Sequence, residues 1–334
     1  MAYITLNKNN FFNNLDIIVK KTKSIDKVAL VLKDNAYGHG LLEVAKMAKE
    51  YGIKKAVVSL KSEAKKIEEF FEYILVLGEI PQVASKKIRY TINDIDSIKK
   101  FPKDCLVELK VDTGMHRNGI TITQLENALN EIKKHNLKLE AVFTHHRSAD
   151  ELTSEWFWQN DRFKEVKQKL KDLGYTKLRL HSANSASLFR VEDFKEDMAR
   201  VGICAYGCMS LPKQLYVEGF KPILSLYAKK ISSRVLKKGS AIGYGATQYL
   251  KEDAVVSNYD FGYGDGFLRV CSNNYITPNK QKLVGRISMD NSSFLSEDET
   301  ILIFNNAIES AKFANTISYE VLTSLKESIK REII

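Results

Sequence analysis

Val28-Ala-Leu-Val-Leu32 runs straight into Lys33-Asp-Asn-Ala-Tyr-Gly-His-Gly40, and Leu41–Tyr51 follows with apolar residues at helical spacing. A short continuous apolar run, a loop and an amphipathic helix together make the repeating unit of a parallel sheet covered by helices. The unit recurs. Further apolar runs stand at 56–60, 74–78, 88–92, 106–111, 141–144, 178–180 and 201–206, with helix-like stretches at 61–71, 123–135 and 155–173 between them. Eight runs in about 200 residues predict a closed (β/α)8 barrel of the α/β class rather than an open doubly wound sheet. No Gly-x-Gly-x-x-Gly follows the first run, which counts against a dinucleotide fold.

Past Pro222 the rhythm changes. Segments 223–233, 241–249, 254–260, 282–287 and 300–304 read as strands with Gly-rich turns between them, which indicates a smaller, mainly antiparallel β domain. The alternating Tyr3–Leu6 can join it as an extra strand, and 316–331 reads as helix. The expected division is a barrel over 8–222 and a β domain over 223–334 together with the N-terminal strand 1–7.

The 334 residues are 44% hydrophobic and 28% charged, enough apolar surface for a large core, which excludes collagen-like, disulfide-scaffold and disordered chains. Lys+Arg outnumber Asp+Glu by 51 to 41, a formal charge of +10. The lysines are scattered over helix faces without a basic block or reading motif, so no nucleic-acid partner is expected. Cys105, Cys204, Cys208 and Cys271 have neither paired nor zinc-type spacing, and read as reduced structural thiols with no metal. There is no signal-peptide pattern and no apolar stretch near the ~20 residues of a membrane helix. A soluble cytoplasmic protein without a membrane partner is expected.

Lys33 falls at the end of the first strand, and in a barrel the C-terminal strand ends form the active-site face. A lysine framed there by apolar residues is a candidate imine-forming nucleophile, although on position alone a surface lysine is an equal reading. The wider string is more specific. Val-Leu-Lys33-Asp-Asn-Ala-Tyr37-Gly-His39-Gly closely resembles the pyridoxal 5'-phosphate attachment motif of alanine racemases. Lys110-Val-Asp-Thr-Gly-Met-His-Arg117-Asn-Gly, Thr144-His145 with Ala149-Asp-Glu, His181-Ser-Ala-Asn184-Ser185-Ala and Arg200-Val-Gly202-Ile203-Cys-Ala-Tyr206-Gly resemble further blocks of that family, in order. Ile242-Gly-Tyr244-Gly-Ala-Thr, Gly262-Tyr263-Gly-Asp-Gly and Val284-Gly-Arg-Ile-Ser-Met289-Asp290 complete the series.

The resemblance implies a racemase that interconverts L- and D-alanine, supplies D-alanine for peptidoglycan, and moves the α-proton with one base on each face of the carbon. It assigns Lys33 to one face and Tyr244 to the other, with His145 helping to hold a phenol whose ordinary pKa near ~10 makes it an awkward base. Tyr37, Asn184, Ser185, Gly202 and Ile203 would take the cofactor phosphate, at the loops where a barrel places such a site. Arg200, oriented by His181, would face the pyridine nitrogen; as a donor that keeps its proton, it would leave that nitrogen unprotonated. Arg117 and the backbone N–H of Met289 are assigned to the substrate carboxylate. Lys110 aligns with a lysine that carries a carbamate in many relatives, while Tyr263 and Asp290 belong to the supporting set. In the family two chains pack head to tail, which implies a homodimer with composite sites.

Some positions depart from the pattern. Ser288 stands where many relatives have cysteine, and the family's Arg-Val-Pro-Arg region is replaced by Glu327-Ser-Ile-Lys-Arg331. Tyr319 lies early for the tyrosine that contacts phosphate in some relatives, so Tyr319 and Glu327 are left out of the expected site. Two other functions stay open on the sequence: a broader amino-acid racemase acting on serine or larger side chains, and a non-catalytic barrel that only carries the cofactor. Tyr244, Met289 and a whole β domain argue against the second.

Overall fold

A computed structural model describes residues 1–334. The chain opens with strand β1 (Tyr3–Leu6) and helix Lys8–Thr22, whose N-cap Asn7 accepts a hydrogen bond from the Asn10 N–H. Eight strands follow: β2 (Val28–Val31), β3 (Lys55–Val58), β4 (Tyr73–Val76), β5 (Ile88–Ile92), β6 (Leu106–Lys110), β7 (Lys138–Phe143), β8 (Arg179–His181) and β9 (Ala199–Val201). All are parallel, in the spatial order β8-β7-β6-β5-β4-β3-β2-β9. Because both faces of such a sheet are covered, its strands need apolar residues at successive positions; Val28–Val31 and Tyr73–Val76 are buried throughout. Helices Leu41–Tyr51, Lys61–Ile67, Leu125–Lys134, Glu155–Asp172 and Ser185–Arg190 cover the outside.

The barrel is nearly closed. β2 pairs with both β3 and β9, Ala29 standing opposite Lys55 on one side and Arg200 on the other. The last two strands are only three residues each and share no ladder. Their seam is bridged instead by the Arg200 N–H on the Ala183 carbonyl at 2.9 Å and the Leu180 N–H on the Asp197 carboxylate at 2.8 Å. No α-helix follows β4, and only a short 3-10 turn follows β5, so the helical ring is less complete than eight identical units would make it.

The second sheet is built on β10 (Leu224–Leu236), with β11 (Ala254–Tyr259), β12 (Lys282–Leu283), β13 (Ser292–Leu295), β14 (Thr300–Phe304) and β15 (Lys330–Ile333). β10 pairs antiparallel with β1, β11 and β14, and register shifts near Leu226 and Lys230 let one long strand serve all three. Its alternation of buried Leu224, Leu226 and Ala228 is the period of a strand with one face on a core. β1 joins this sheet as its sequence suggests.

Three sequence expectations fail here. Segment 241–249 is a loop closed by a single Ala241–Tyr249 bridge, because Gly243, Gly245 and Ala246 all take positive φ and force a 3-10 turn at Tyr244–Ala246. The strand expected over 282–287 stops at Leu283, since Gly285 turns at φ 75°, and the sheet gains the polar β13 instead. The helix expected over 316–331 is confined to Ser318–Thr323; turns follow, and Lys330–Ile333 form β15, which pairs parallel with the otherwise open edge of β1. That C-terminal stretch lies on the loop after β2. A Cβ on Gly38 would sit 1.9 Å from the Leu322 carbonyl oxygen, and the Arg331 guanidinium donates to the Gly38 carbonyl from Nε at 3.1 Å and Nη2 at 2.9 Å.

Candidate active site

Lys33 lies two residues beyond β2, at the start of an unusual turn. Asp34, Asn35, Ala36 and Tyr37 have φ of 54°, 54°, 52° and 52°, a left-handed turn built without glycine. Such backbone costs on the order of 1 kcal/mol per residue and persists only where its surroundings over-determine it. They do. Glu63 accepts from the Asp34 N–H at 2.7 Å, and Asn35 Oδ1 accepts from the Leu41 N–H at 2.8 Å. His39 Nδ1 donates toward the Ala36 and Tyr37 carbonyls at 3.0 and 2.9 Å, and its ring stacks on Tyr206 at 4.4 Å. Tyr206 in turn donates to the Val31 carbonyl at 2.7 Å. Lys33 is left half-buried, its Nζ 3.5 Å from Asp34.

Hydrogen-bond donors converge beside this turn. Ser185 Oγ accepts from the Gly202 N–H at 3.0 Å, which frees its own hydrogen to donate outward. The Ile203 N–H has no acceptor in the chain. Asn184 caps the helix that starts at Ser185, its Oδ1 accepting from the Ser187 N–H at 2.9 Å. Only glycine fits at 202, because a Cβ there would be 2.9 Å from the Tyr37 hydroxyl. Desolvation, with Tyr319 and Asp34 nearby, raises the Tyr37 pKa, so the phenol stays an O–H donor. A hydroxyl pair and a free N–H without acceptors suit a phosphate. Tyr319, excluded on sequence, packs its ring 5.7 Å from that of Tyr37. It is brought there because the helix Ser318–Thr323 folds back onto Gly38.

On the opposite side Arg200 is buried with its terminal nitrogens committed. Nη2 donates to the Thr144 carbonyl at 2.7 Å and Nη1 lies 2.5 Å from His181 Nδ1, which leaves the Nε–H without a protein acceptor. Phe143 stacks on His181 at 4.9 Å and lies 5.0 Å under the guanidinium. Burial draws the Arg200 pKa down to about 10, still a cation at neutral pH. Lys110, at the end of β6, is brought down to about 8 by burial and then by Arg117 and Arg200. His145 is held well below its usual value by burial and by the charges of Arg200, Lys110 and Arg117, so it is neutral. Asp112 accepts from the Gly114 and His116 N–H groups at 2.9 and 3.0 Å and fixes the loop that carries Arg117. The mouth is thus a cationic site that fits an anionic cofactor and an anionic substrate. No cluster of three His, Cys, Asp or Glu could hold a metal.

Comparison with known families settles the kinship. The family model for the alanine racemase N-terminal domain matches residues 6–210, and that for the alanine racemase C-terminal domain matches 223–333. The chain belongs to the alanine racemase family. It is 43% identical to an alanine racemase from a Nitratiruptor species, with 99% of each chain covered, and 41% identical to one from Campylobacter concisus over the whole of both. Among solved structures, the alanine racemase from Bacillus anthracis with bound L-Ala-P superposes with a TM-score of 0.90 at 27% identity, covering 100% of this chain and 95% of that one.

The alanine racemase blocks of the β domain form a second cluster. The Tyr263 N–H donates to the Ser288 carbonyl at 3.0 Å and the Gly264 N–H to the Met289 carbonyl at 2.8 Å, which binds the Tyr263 and Met289–Asp290 loops together. Gly245, next to Tyr244, lies against the Arg286 guanidinium. Tyr244 is 68% exposed and Met289 56% exposed. No hydrogen bond or ring contact joins Tyr244, Tyr263 or Met289 to the barrel-mouth residues within one chain. The structure therefore assembles Lys33, Tyr37, Lys110, Arg117, His145, His181, Asn184, Ser185, Arg200, Gly202 and Ile203 at one mouth, and leaves the β-domain set apart.

Two buried imidazoles near this mouth set a pH limit. His39 Nε2 and both ring nitrogens of His146 have no hydrogen-bond partner, and burial lowers each pKa to about 4. Folded pKa values below the unfolded 6.5 mean that the unfolded chain takes up protons first as pH falls. The stabilisation is complete above about pH 6.5 and drains away toward pH 4. We expect urea unfolding to show a loss on the order of 2 kcal/mol per histidine between pH 7.5 and 5. A flat profile over that interval would contradict the neutral, buried assignment.

Proposed function

We propose that this protein interconverts L- and D-alanine, as its relatives' names state for them, with pyridoxal 5'-phosphate carried on Lys33. The observation that carries the proposal is the arrangement around one strand-end lysine: phosphate donors on one side and a buried arginine on the other, with its Nε–H free. Tyr37, Ser185, Gly202, Ile203 and the end of the helix capped by Asn184 would hold the phosphate, with Tyr319 packed against Tyr37 at its side. Arg200, supported by His181, would present its Nε–H to the ring of the cofactor. When bound, the cofactor supplies the electron sink that acidifies the substrate's α-carbon.

The chain's residues do the rest. Lys33 Nζ moves the proton on one face of the α-carbon and Tyr244 Oη on the other, with neutral His145 available to the phenol. Arg117 and the Met289 N–H hold the substrate carboxylate, while Tyr263 and Asp290 shape the loops that present Met289. Lys110 beside Arg117 is a repulsive pair as two cations; a pKa brought down to about 8 exposes an amine able to take up carbon dioxide, and the resulting carbamate would pair with Arg117.

We assign the barrel to 8–222 and the β domain to 223–334 with 1–7, the β domain of one chain completing the site of its partner in a homodimer. The free, buried Cys105, Cys204, Cys208 and Cys271 fit a cytoplasmic enzyme, and no helix is long and apolar enough to cross a membrane. Borohydride reduction of the cofactor-loaded protein is expected to leave a pyridoxyl group on Lys33. Peptide mass mapping that finds the label elsewhere would sink the assignment. Chiral chromatography of a panel of L-amino acids should show alanine turned over fastest.

A further inference from the structure

Below the mouth, the barrel interior holds a carboxylate where layers of apolar side chains are the rule. Glu108 of β6 is fully buried. Tyr73 of β4, with Arg179 and His181 of β8, meets it, so three alternate strands contribute to one interior layer, and Arg179 and His181 share a face because they are two residues apart. One oxygen, Oε1, accepts from the Tyr73 hydroxyl at 2.5 Å and from Arg179 Nη2 at 2.8 Å. The other, Oε2, faces only His181 Nε2, at 3.0 Å. Arg179 is shared in turn with Glu140, at 2.9 Å, which also accepts from Arg89 at 2.9 Å.

The protons on this chain of groups can be placed. Arg200 Nη1 is a donor that does not give up its proton, so His181 Nδ1, 2.5 Å away, must accept. A neutral imidazole then carries its one hydrogen on Nε2, and that hydrogen donates to Glu108. Guanidinium and carboxylate thus select the same tautomer from opposite ends of one ring. The electrostatics agree: burial opposes ionisation of Glu108, yet His181, Arg179 and Tyr73 outweigh it and hold the carboxyl at about 2, while burial keeps the imidazole neutral.

We propose that Glu108 is a positioning residue for the cofactor ring, acting through His181 on Arg200. Its carboxylate locks the Nε2–H tautomer, the acceptor Nδ1 occupies Arg200 Nη1, the Thr144 carbonyl occupies Nη2, and the Nε–H is the donor left for the ring nitrogen. A carboxamide at 108 can turn its NH2 toward His181. The imidazole proton would then move to Nδ1, where it would point at a guanidinium N–H and push Arg200 out of place.

The inference rests on the cofactor reading for one of its two readouts only. In apoprotein labelled with 15N-histidine, the His181 signals, assigned by their loss in His181→Asn, are expected to show the Nε2–H tautomer. This holds whether or not the protein binds pyridoxal phosphate. Glu108→Gln is expected to shift that signal toward the Nδ1–H form. It should also weaken pyridoxal phosphate binding by about tenfold, the value of one charge-assisted hydrogen bond, and change the visible absorbance of the bound cofactor. Tyr73→Phe removes a partner of Glu108 that does not touch His181, and should leave tautomer and affinity within about twofold. A wild-type His181 that carries its proton on Nδ1 overturns the proposal without any variant having to fold. So does a folded Glu108→Gln protein with unchanged tautomer and affinity. Should wild type bind no pyridoxal phosphate, the cofactor reading fails while the tautomer result still decides the relay.

Discussion

Tyr244→Phe is expected to abolish racemisation in both directions while α-proton exchange from D-alanine continues. The phenyl ring fills the place of the phenol and removes only the hydroxyl, and nothing in the fold depends on that oxygen: Tyr244 stands in an exposed 3-10 turn. Loss of a positioned acid–base group costs about a hundred- to ten-thousandfold, and racemisation needs both faces, so neither direction can bypass it. Lys33, held by the left-handed turn on the barrel, is untouched and can still exchange the proton on its own face. Racemisation is read by chiral chromatography and exchange by NMR in deuterium oxide, starting from each enantiomer separately. Exchange lost equally from both, in a folded and cofactor-loaded protein, would remove the two-base reading.

The barrel was legible because parallel strands under helices must be apolar at successive positions, and Val28–Val31 and Tyr73–Val76 are such runs. The second sheet was less so. Apart from β10 its strands are short and mix polar with apolar residues, as in Ser292–Leu295, and positive-φ residues break the 241–249 run where composition alone reads a strand. β15 could not be seen locally at all, since it is a strand only because β1 presents an edge to it. The site divides the same way. Lys33, Arg117, Ser185 and Arg200 stood in recognisable strings. That Tyr319 folds back onto Tyr37, or that Glu108 lies behind His181, depends on tertiary contacts between distant residues that no local pattern encodes.

Mixing two inactive variants should restore activity. Within one chain the barrel mouth holds Lys33 and Arg117, while Tyr244, Tyr263 and Met289 lie on β-domain loops without a contact to them. Tyr244, Met289, Tyr249, Ile276 and Val270 in the β domain, and Phe157, Trp158 and Leu152 on the barrel, are exposed. In the proposed symmetric pair the same two surfaces would be used twice, which would bring each mouth to its partner's loops. Each Lys33→Ala homodimer then lacks the lysine in both sites, and each Tyr244→Ala homodimer lacks the phenol in both. A mixed dimer collects both defects in one site and leaves the other intact. Random reassociation makes half the dimers mixed, and each carries one working site of two, so co-refolded protein should recover about a quarter of wild-type activity. A β domain that instead closed over its own barrel would give no recovery at any mixing ratio. Subunit exchange shown by differently tagged chains, with activity still absent, would therefore overturn the shared site while leaving the assignment of Lys33 intact.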